Sequence, residues 1–230
     1  MKRTTIFLLG ALLAIAGHAS VEDGIRAYNA GDHAAAFKEF SAAAESGNPA
    51  GIHLLASLYY QGHGVDRDVG KAAKLFSTAG EAGYPPSLAN LALMYSRGDG
   101  VPQDSSKAVE FGRKAAEAGD LQSQFNLAQA YRTGTGVAQD FSMAARWYKQ
   151  AAEAGYVPAQ NEYGLLFAQG QGVPLDYIQA YAWIDMPANA GDEMAVMNRA
   201  QLLQILTPEQ QERARVLAKK YAQQYGSKRR

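Results

Sequence analysis

The sequence predicts an all-α fold, a solenoid in which antiparallel helix pairs stack in series and a helical cap closes the C-terminal end. Three observations carry that prediction. Displacing the 230 residues against themselves by 36 superposes Gly62, Gly98, Gly134 and Gly170, and also Gly64, Gly100, Gly136 and Gly172. The apolar positions between the glycines recur at spacings of three and four, the period of a helix face. A 47% hydrophobic and 19% charged composition supplies enough apolar surface for neighbouring pairs to bury.

Residues 1–19 read as a signal peptide. Lys2 and Arg3 precede an apolar stretch from Ile6 to Gly17, and Gly17-His18-Ala19 offers the small residues a signal peptidase reads, which predicts cleavage after Ala19. Twelve residues rise only about 18 Å as helix, and no later stretch holds the roughly 20 apolar residues of a membrane span. Removing Lys2 and Arg3 leaves 20 basic against 22 acidic side chains, a mildly acidic exported chain, periplasmic or secreted in a bacterium.

Residues 20–48 form a shortened first unit. Tyr28 is followed by Asp32 four residues on, whereas Tyr59 is followed by Asp68 nine residues on, so five loop residues are missing.

Four full units follow, at 49–84, 85–120, 121–156 and 157–192. In the second, Leu88, Leu91, Ala92 and Tyr95 define an amphipathic helix A ending at Arg97, where Gly98 supplies the positive φ that closes a helix. Asp104 then stands at the N-cap of helix B, with its carboxylate free to accept the unpaired amides of the first turn. Ala108, Phe111, Ala115 and Ala118 carry helix B to Gly119. The same columns recur as Val65, Val101, Val137 and Val173, as Asp68, Asp104, Asp140 and Asp176, and as Gly47, Gly83, Gly119, Gly155 and Gly191. Alanines such as Ala72, Ala79, Ala144 and Ala151 let helix axes approach, and one large slot per unit (Leu75, Phe111, Trp147, Trp183) fills the remaining gap.

Residues 193–225 read as capping helices, one from Met194 to Leu206 and one from Pro208 to Tyr221, with Thr207 as N-cap and Pro208 at the first helical position. Residues 226–230 are expected to be a disordered tail.

The unit Leu-Ala-x-x-Tyr-x-x-Gly-x-Gly-Val-x-x-Asp-x-x-x-Ala, seen from Leu91 to Ala108 and continued by Lys114-Ala-Ala-Glu-Ala-Gly119, resembles the Sel1-like repeat. The resemblance covers Pro49 to Asp192, with residues 21–48 similar to a tetratricopeptide-type unit. It implies a right-handed α-solenoid whose members act mostly as adaptors in signalling, secretion or envelope assembly. Cysteine-rich members are described as hydrolases acting on β-lactams, but their pairs carry disulfides and this chain has no cysteine. Departures are Tyr163 in a leucine column, Phe167 in a tyrosine column, and Pro187 in an alanine column. Pro187 is expected to kink or end the last helix B and splay the final pair toward the cap.

Composition and spacing expose no chemistry. The absence of cysteine removes thiol nucleophiles, thiolate zinc sites and disulfides. Equal numbers of basic and acidic residues, 22 each, leave no field to hold a nucleic acid. His33, His53 and His63 lack the spacing of a helical metal pair, and His63 occupies a column otherwise filled by Asp99, Thr135 and Gln171, as an unconstrained loop residue would. The Gly-x-Gly pairs follow helices instead of strands and so are turns rather than nucleotide loops. Gly70, Lys71 and Ser77 stand where a calcium loop that began at Asp66 and Asp68 would want an acid, a glycine and a glutamate. The periodic Glu45, Glu81, Glu117 and Glu153 give four like environments, where glycosidic chemistry needs two unlike ones. No Gly-x-Ser-x-Gly elbow occurs. The expectation is a protein without catalytic residues, metal or cofactor.

What remains is surface. Positions on helix A about 200° from the Leu/Tyr stripe would line the concave side of a tetratricopeptide-like superhelix. They are His53, Ser57, Tyr60 and Gln61, then Ala89, Leu93, Ser96 and Arg97, then Phe125, Gln129, Arg132 and Thr133, then Asn161, Leu165, Ala168 and Gln169. Of these, His53, Tyr60, Gln61, Leu93, Arg97, Phe125, Gln129, Arg132, Asn161 and Gln169 are the candidate partner-binding residues, because aromatic bodies and arginines anchor interfaces. Three functions fit. The leading one is an adaptor that binds another envelope protein, or an extended segment of one, in that groove. A hydrolase on β-lactam or cell-wall substrates follows only from the resemblance. A glycan-binding module is suggested by the aromatic run that includes Phe141, Trp147, Tyr148, Tyr156, Tyr163, Tyr177, Tyr181 and Trp183.

Overall fold

The structure, a computed structural model, describes residues 21–226, and every regular element among them is helical. The predicted signal peptide and residues 227–230 of the predicted tail lie outside the described residues. The helices are α1 (residues 21–29), α2 (His33–Glu45), α3 (Pro49–Gln61), α4 (Val69–Glu81), α5 (Pro85–Arg97), α6 (Ser105–Glu117), α7 (Leu121–Thr133), α8 (Phe141–Glu153), α9 (Val157–Gln169), α10 (Tyr177–Asn189), α11 (Glu193–Ile205) and α12 (Pro208–Tyr225). Ten of them, α2 to α11, are 13 residues long, because the same start and stop signals recur.

Each helix B starts at the aspartate column. Carboxylate oxygens of Asp68, Asp104, Asp140 and Asp176 accept the amides of Lys71, Lys107, Met143 and Gln179 at 2.8 to 3.0 Å. The same aspartates close the preceding loop, since their own amides donate to the carbonyls of Tyr59, Tyr95, Tyr131 and Phe167 at 2.9 to 3.0 Å. Each helix A stops where a glycine of the first column enters the left-handed region, with φ from +66° to +77°.

The second glycine of the loop does more than bend the chain. A Cβ on Gly64 would stand 2.2 Å from the carbonyl oxygen of His33, and one on Gly172 would stand 2.0 Å from that of Phe141. These loops therefore lie directly on the first residue of the preceding helix B, α2 and α8 respectively, a distance open only to a residue without a side chain.

Pro187 does not end α10. The helix continues to Asn189, the same length as its counterparts, with Pro187 fully buried. The reason is its place in the last turn. Proline removes one amide donor there, yet its carbonyl still accepts from the amide of Asp192 at 3.0 Å and closes the same terminal motif that Ala151 closes for α8 through Tyr156.

The described residues divide into two compact units, the first ending at Ala115 and the second beginning at Ala116. In the first, α3 packs on α2 and α4, and α4 on α5, around a core of Phe40, Leu55, Leu58, Tyr59, Phe76, Leu91 and Met94. Ala36, Ala72 and Ala79 are fully buried, as close helix approach requires. In the second unit, α7 pairs with α8 and α9 with α10, and its own core gathers Tyr181, Ile184, Leu202 and Leu206.

The C-terminal pair departs from expectation. Helix α11 begins at Glu193 and α12 runs to Tyr225, four residues further than the sequence indicates. Helix α12, opened by a capping box between Thr207 and Gln210, packs on α10 and reaches α8, more than it packs on α11. Ala214 and Ala218 bring it close to α10, and Tyr221 and Tyr225 lie over Trp183 at centroid separations of 4.7 and 5.2 Å. Tyr221 also donates to Gln179 at 2.7 Å. No described helix is long and apolar enough to cross a membrane.

Candidate protein-interaction site

In the first unit, helices α3 and α5 border a cleft of about 170 Å³. Phe76 of α4 and Met94 line it, with Ser57, Tyr60 and Gln61 contributed by α3 and Asn90 and Leu93 by α5. Tyr60 is held from two loops. Its hydroxyl donates to Asp99 Oδ2 at 3.1 Å, and Arg67 donates to its carbonyl at 3.0 Å while the guanidinium lies 5.8 Å from its ring centroid. Leu93 is 40% exposed and Arg97 is exposed in the last turn of α5. Gln61 accepts from the Tyr28 hydroxyl at 2.9 Å.

His53 is engaged elsewhere. Its Nδ1 lies 2.9 Å from Ser87 Oγ, and its ring packs on Phe76 and Tyr84 at 5.2 and 5.1 Å. Burial lowers its pKa to about 4, because the apolar surroundings disfavour the imidazolium. A serine within reach of a histidine is what a nucleophile would need, but Ser87 is fully buried and no substrate carbonyl could approach its hydroxyl.

In the second unit, the positions 72 residues further on build the corresponding slot differently. Gln129 and Arg132 come from α7, Tyr148 from α8, and Glu162 and Leu165 from α9. Arg132 Nη2 donates to Gln129 Oε1 at 3.2 Å. The guanidinium lies near enough to Tyr148 to act on its hydroxyl, yet Arg132 Nε and that hydroxyl are both buried without an atom in hydrogen-bond geometry. Burial and the nearby Glu162 push Tyr148 up to about 12, with Arg132 opposing them. Burial also raises the Glu162 carboxyl, and again Arg132 opposes.

The remaining candidates divide. Phe125 stands edge-on to Tyr148 and Tyr156 at 5.6 and 5.7 Å, and the buried Asn161 accepts from Asn198 at 3.1 Å, so both are packing residues. Gln169 is exposed at the end of α9. Spacing along the helix indicated the face but not which side chains a neighbour would cover.

His63 is not the free loop residue its column suggested. Its ring stacks on His33 at 4.6 Å and its Nδ1 lies 3.1 Å from the Tyr28 hydroxyl. No repeat signal reports that contact, because only the shortened first unit supplies Tyr28 and His33. The aromatic run that suggested glycan binding is largely core: Trp147, Tyr148, Tyr163, Tyr181 and Trp183 are buried. Among the described residues no group of three or more histidine or acidic side chains could hold a metal ion.

Helix pairs with a double-glycine loop, an aspartate cap and a 36-residue period have known relatives. The Sel1 repeat description matches residues 49–84, 85–120, 121–156 and 157–192. The chain belongs to the Sel1 repeat family. Sel1 repeats are helical scaffolds that in general mediate protein–protein interaction. Among solved structures, a Sel1 repeat protein from Oxalobacter formigenes is 29% identical with a TM-score of 0.78, over 89% of this chain and 85% of that one. A protective antigen of uropathogenic Escherichia coli strains, described as displaying an SLR fold, is 34% identical with a TM-score of 0.73 over 84% of this chain. The present chain spans 41% of that antigen's length. Comparison with curated proteins finds no match.

Proposed function

We propose that this Sel1 repeat protein is a non-enzymatic adaptor of the bacterial envelope, exported by its N-terminal segment, that holds another envelope protein along the helix-A faces of its repeats. The observation that carries the reading is the slot formed at one register in both units. In the first it is a cleft with an apolar floor and a polar rim, and in the second Arg132 donates to Gln129 and lies beside Tyr148 with its Nε buried. A cleft of that kind receives an apolar side chain, so a partner segment with an exposed apolar anchor fits the slot of the first unit. The export is supported by the charged, apolar and small-residue succession of residues 1–19.

The test is photo-crosslinking in intact cells, with a reactive residue placed at Leu93 or Gln129 and, as a control, at Lys38 on α2. A discrete protein adduct at the first two positions and not at the third is the expected result. Identical adduct patterns at all three would refute the assignment of the face.

A further inference from the structure

The second unit carries a groove between helices α8 and α10 whose floor is Tyr163 of α9 and whose wall is Trp183 of α10. Helix α12 closes it. Tyr225 stacks on Trp183 at 5.2 Å and Tyr221 lies over the same ring at 4.7 Å, while Tyr163 stands edge-on to Trp183 at 5.2 Å. Gln160 binds the carbonyl of Tyr225 at 3.2 Å. Trp183 and Tyr163 are left 3% and 6% exposed.

The first unit has the same groove 72 residues earlier in register, and there it is open. Leu91 and Tyr95 of α5 face a space of about 690 Å³ bordered by Lys71, Lys74 and Ser77 of α4. Phe111, the counterpart of Trp183, stacks on Tyr95 at 5.5 Å and remains only partly buried. Lys107 lies 5.2 Å over the Tyr95 ring. The acid on the lining is Asp68, and its carboxylate is engaged in capping α4. Among the described residues Lys71, Lys74 and Lys107 form no ion pair, although Lys71 donates to the Tyr59 hydroxyl at 2.6 Å.

We infer that this groove of the first unit is a second docking site, separate from the helix-A face, and that its ligand is an amphipathic partner helix with two aromatic residues four positions apart and acidic residues beside them. The aromatic pair follows from α12, where Tyr221 and Tyr225 show what fills a groove of this register. The acids follow from the three lysines, which an occupant must neutralise on excluding water. The same lysines disfavour α12 of a second copy, because α12 carries Arg213, Arg215, Lys219 and Lys220 against Glu209 and Glu212.

The probe is a fluorescein-labelled peptide with the sequence of residues 208–226 in which Lys219→Glu and Lys220→Glu are made, titrated onto the full chain by anisotropy. It is expected to bind, and to bind about tenfold more weakly to the Lys74→Glu, Lys107→Glu double variant, whose exposed substitutions leave the core intact. Replacing both peptide tyrosines by alanine is expected to reduce affinity by at least about tenfold, and raising salt to weaken it. The chain's two tryptophans, Trp147 and Trp183, both lie in the second unit, so their emission should not change. Absence of binding, equal affinity for the double variant, or a change in tryptophan emission that reports displacement of α12 would each overturn the assignment.

Discussion

The Nδ1 of His53 and the Oγ of Ser87 meet at 2.9 Å across 34 residues of sequence, so one hydrogen bond ties helix A of one repeat to helix A of the next. It spans the two repeats at a buried serine, where loss of a partner leaves an unsatisfied hydroxyl.

The burial of His53 makes stability depend on pH in a defined direction. His53 titrates near 6.5 when unfolded and at about 4 when folded, so the unfolded chain binds the proton first as pH falls. Its contribution is complete above about pH 6.5 and is lost progressively toward pH 4. Denaturant unfolding at neutral pH and at about pH 4.5 should show wild type losing roughly 1 to 2 kcal/mol more than His53→Gln, after allowance for its partial exposure. Equal losses would rule out the buried imidazole as the cause.

Two of the three glycine columns, the one that follows helix B and the second of the loop, should respond differently to alanine. Gly83 has φ +80° and open space for 4 Å around the position a Cβ would take, so Gly83→Ala meets only the cost of the left-handed conformation, about 1 kcal/mol. Gly172→Ala adds a collision with the Phe141 carbonyl and should cost several times as much. Thermal unfolding of the two variants side by side measures the difference.

Removing the aromatic pair of α12 should free that helix from α10. Tyr221→Ala with Tyr225→Ala is expected to cost about 3 kcal/mol or more and to shift tryptophan emission to longer wavelength as Trp183 meets water. An unchanged spectrum would mean that α12 is held by Ala214, Leu217 and Ala218 without its tyrosines.

Glu162 offers a test of the charged slot. Burial raises its pKa and therefore disfavours its carboxylate in the folded state, so the penalty appears as pH rises through the titration and vanishes in acid. Glu162→Gln should stabilise the protein by about a few tenths of a kcal/mol at neutral pH and not at all near pH 3. Arg132→Met should raise the pKa of both Glu162 and Tyr148, since Arg132 lowers each. Titration followed by tyrosine absorbance reads the second of these.

The set of helices was legible in the order of amino acids alone. An aspartate cap and a glycine stop are bonded to atoms within four or five residues, as Asp104 is to Lys107 and Gly98 to Met94, so their spacing announces where a helix begins and ends. The same locality made a 36-residue period visible and, with it, the family. Where the exposed-looking side chains went was settled by long-range packing. His53 went to Ser87, Phe125 to Tyr148 and Tyr156, and His63 to His33. Packing also turned α12 onto α10, and it left one slot as an apolar cleft and its counterpart as a charged cluster. Those outcomes depend on which surface is still uncovered when a distant element arrives, and the energy of covering it is carried by contacts between residues far apart in the chain, which no local spacing records.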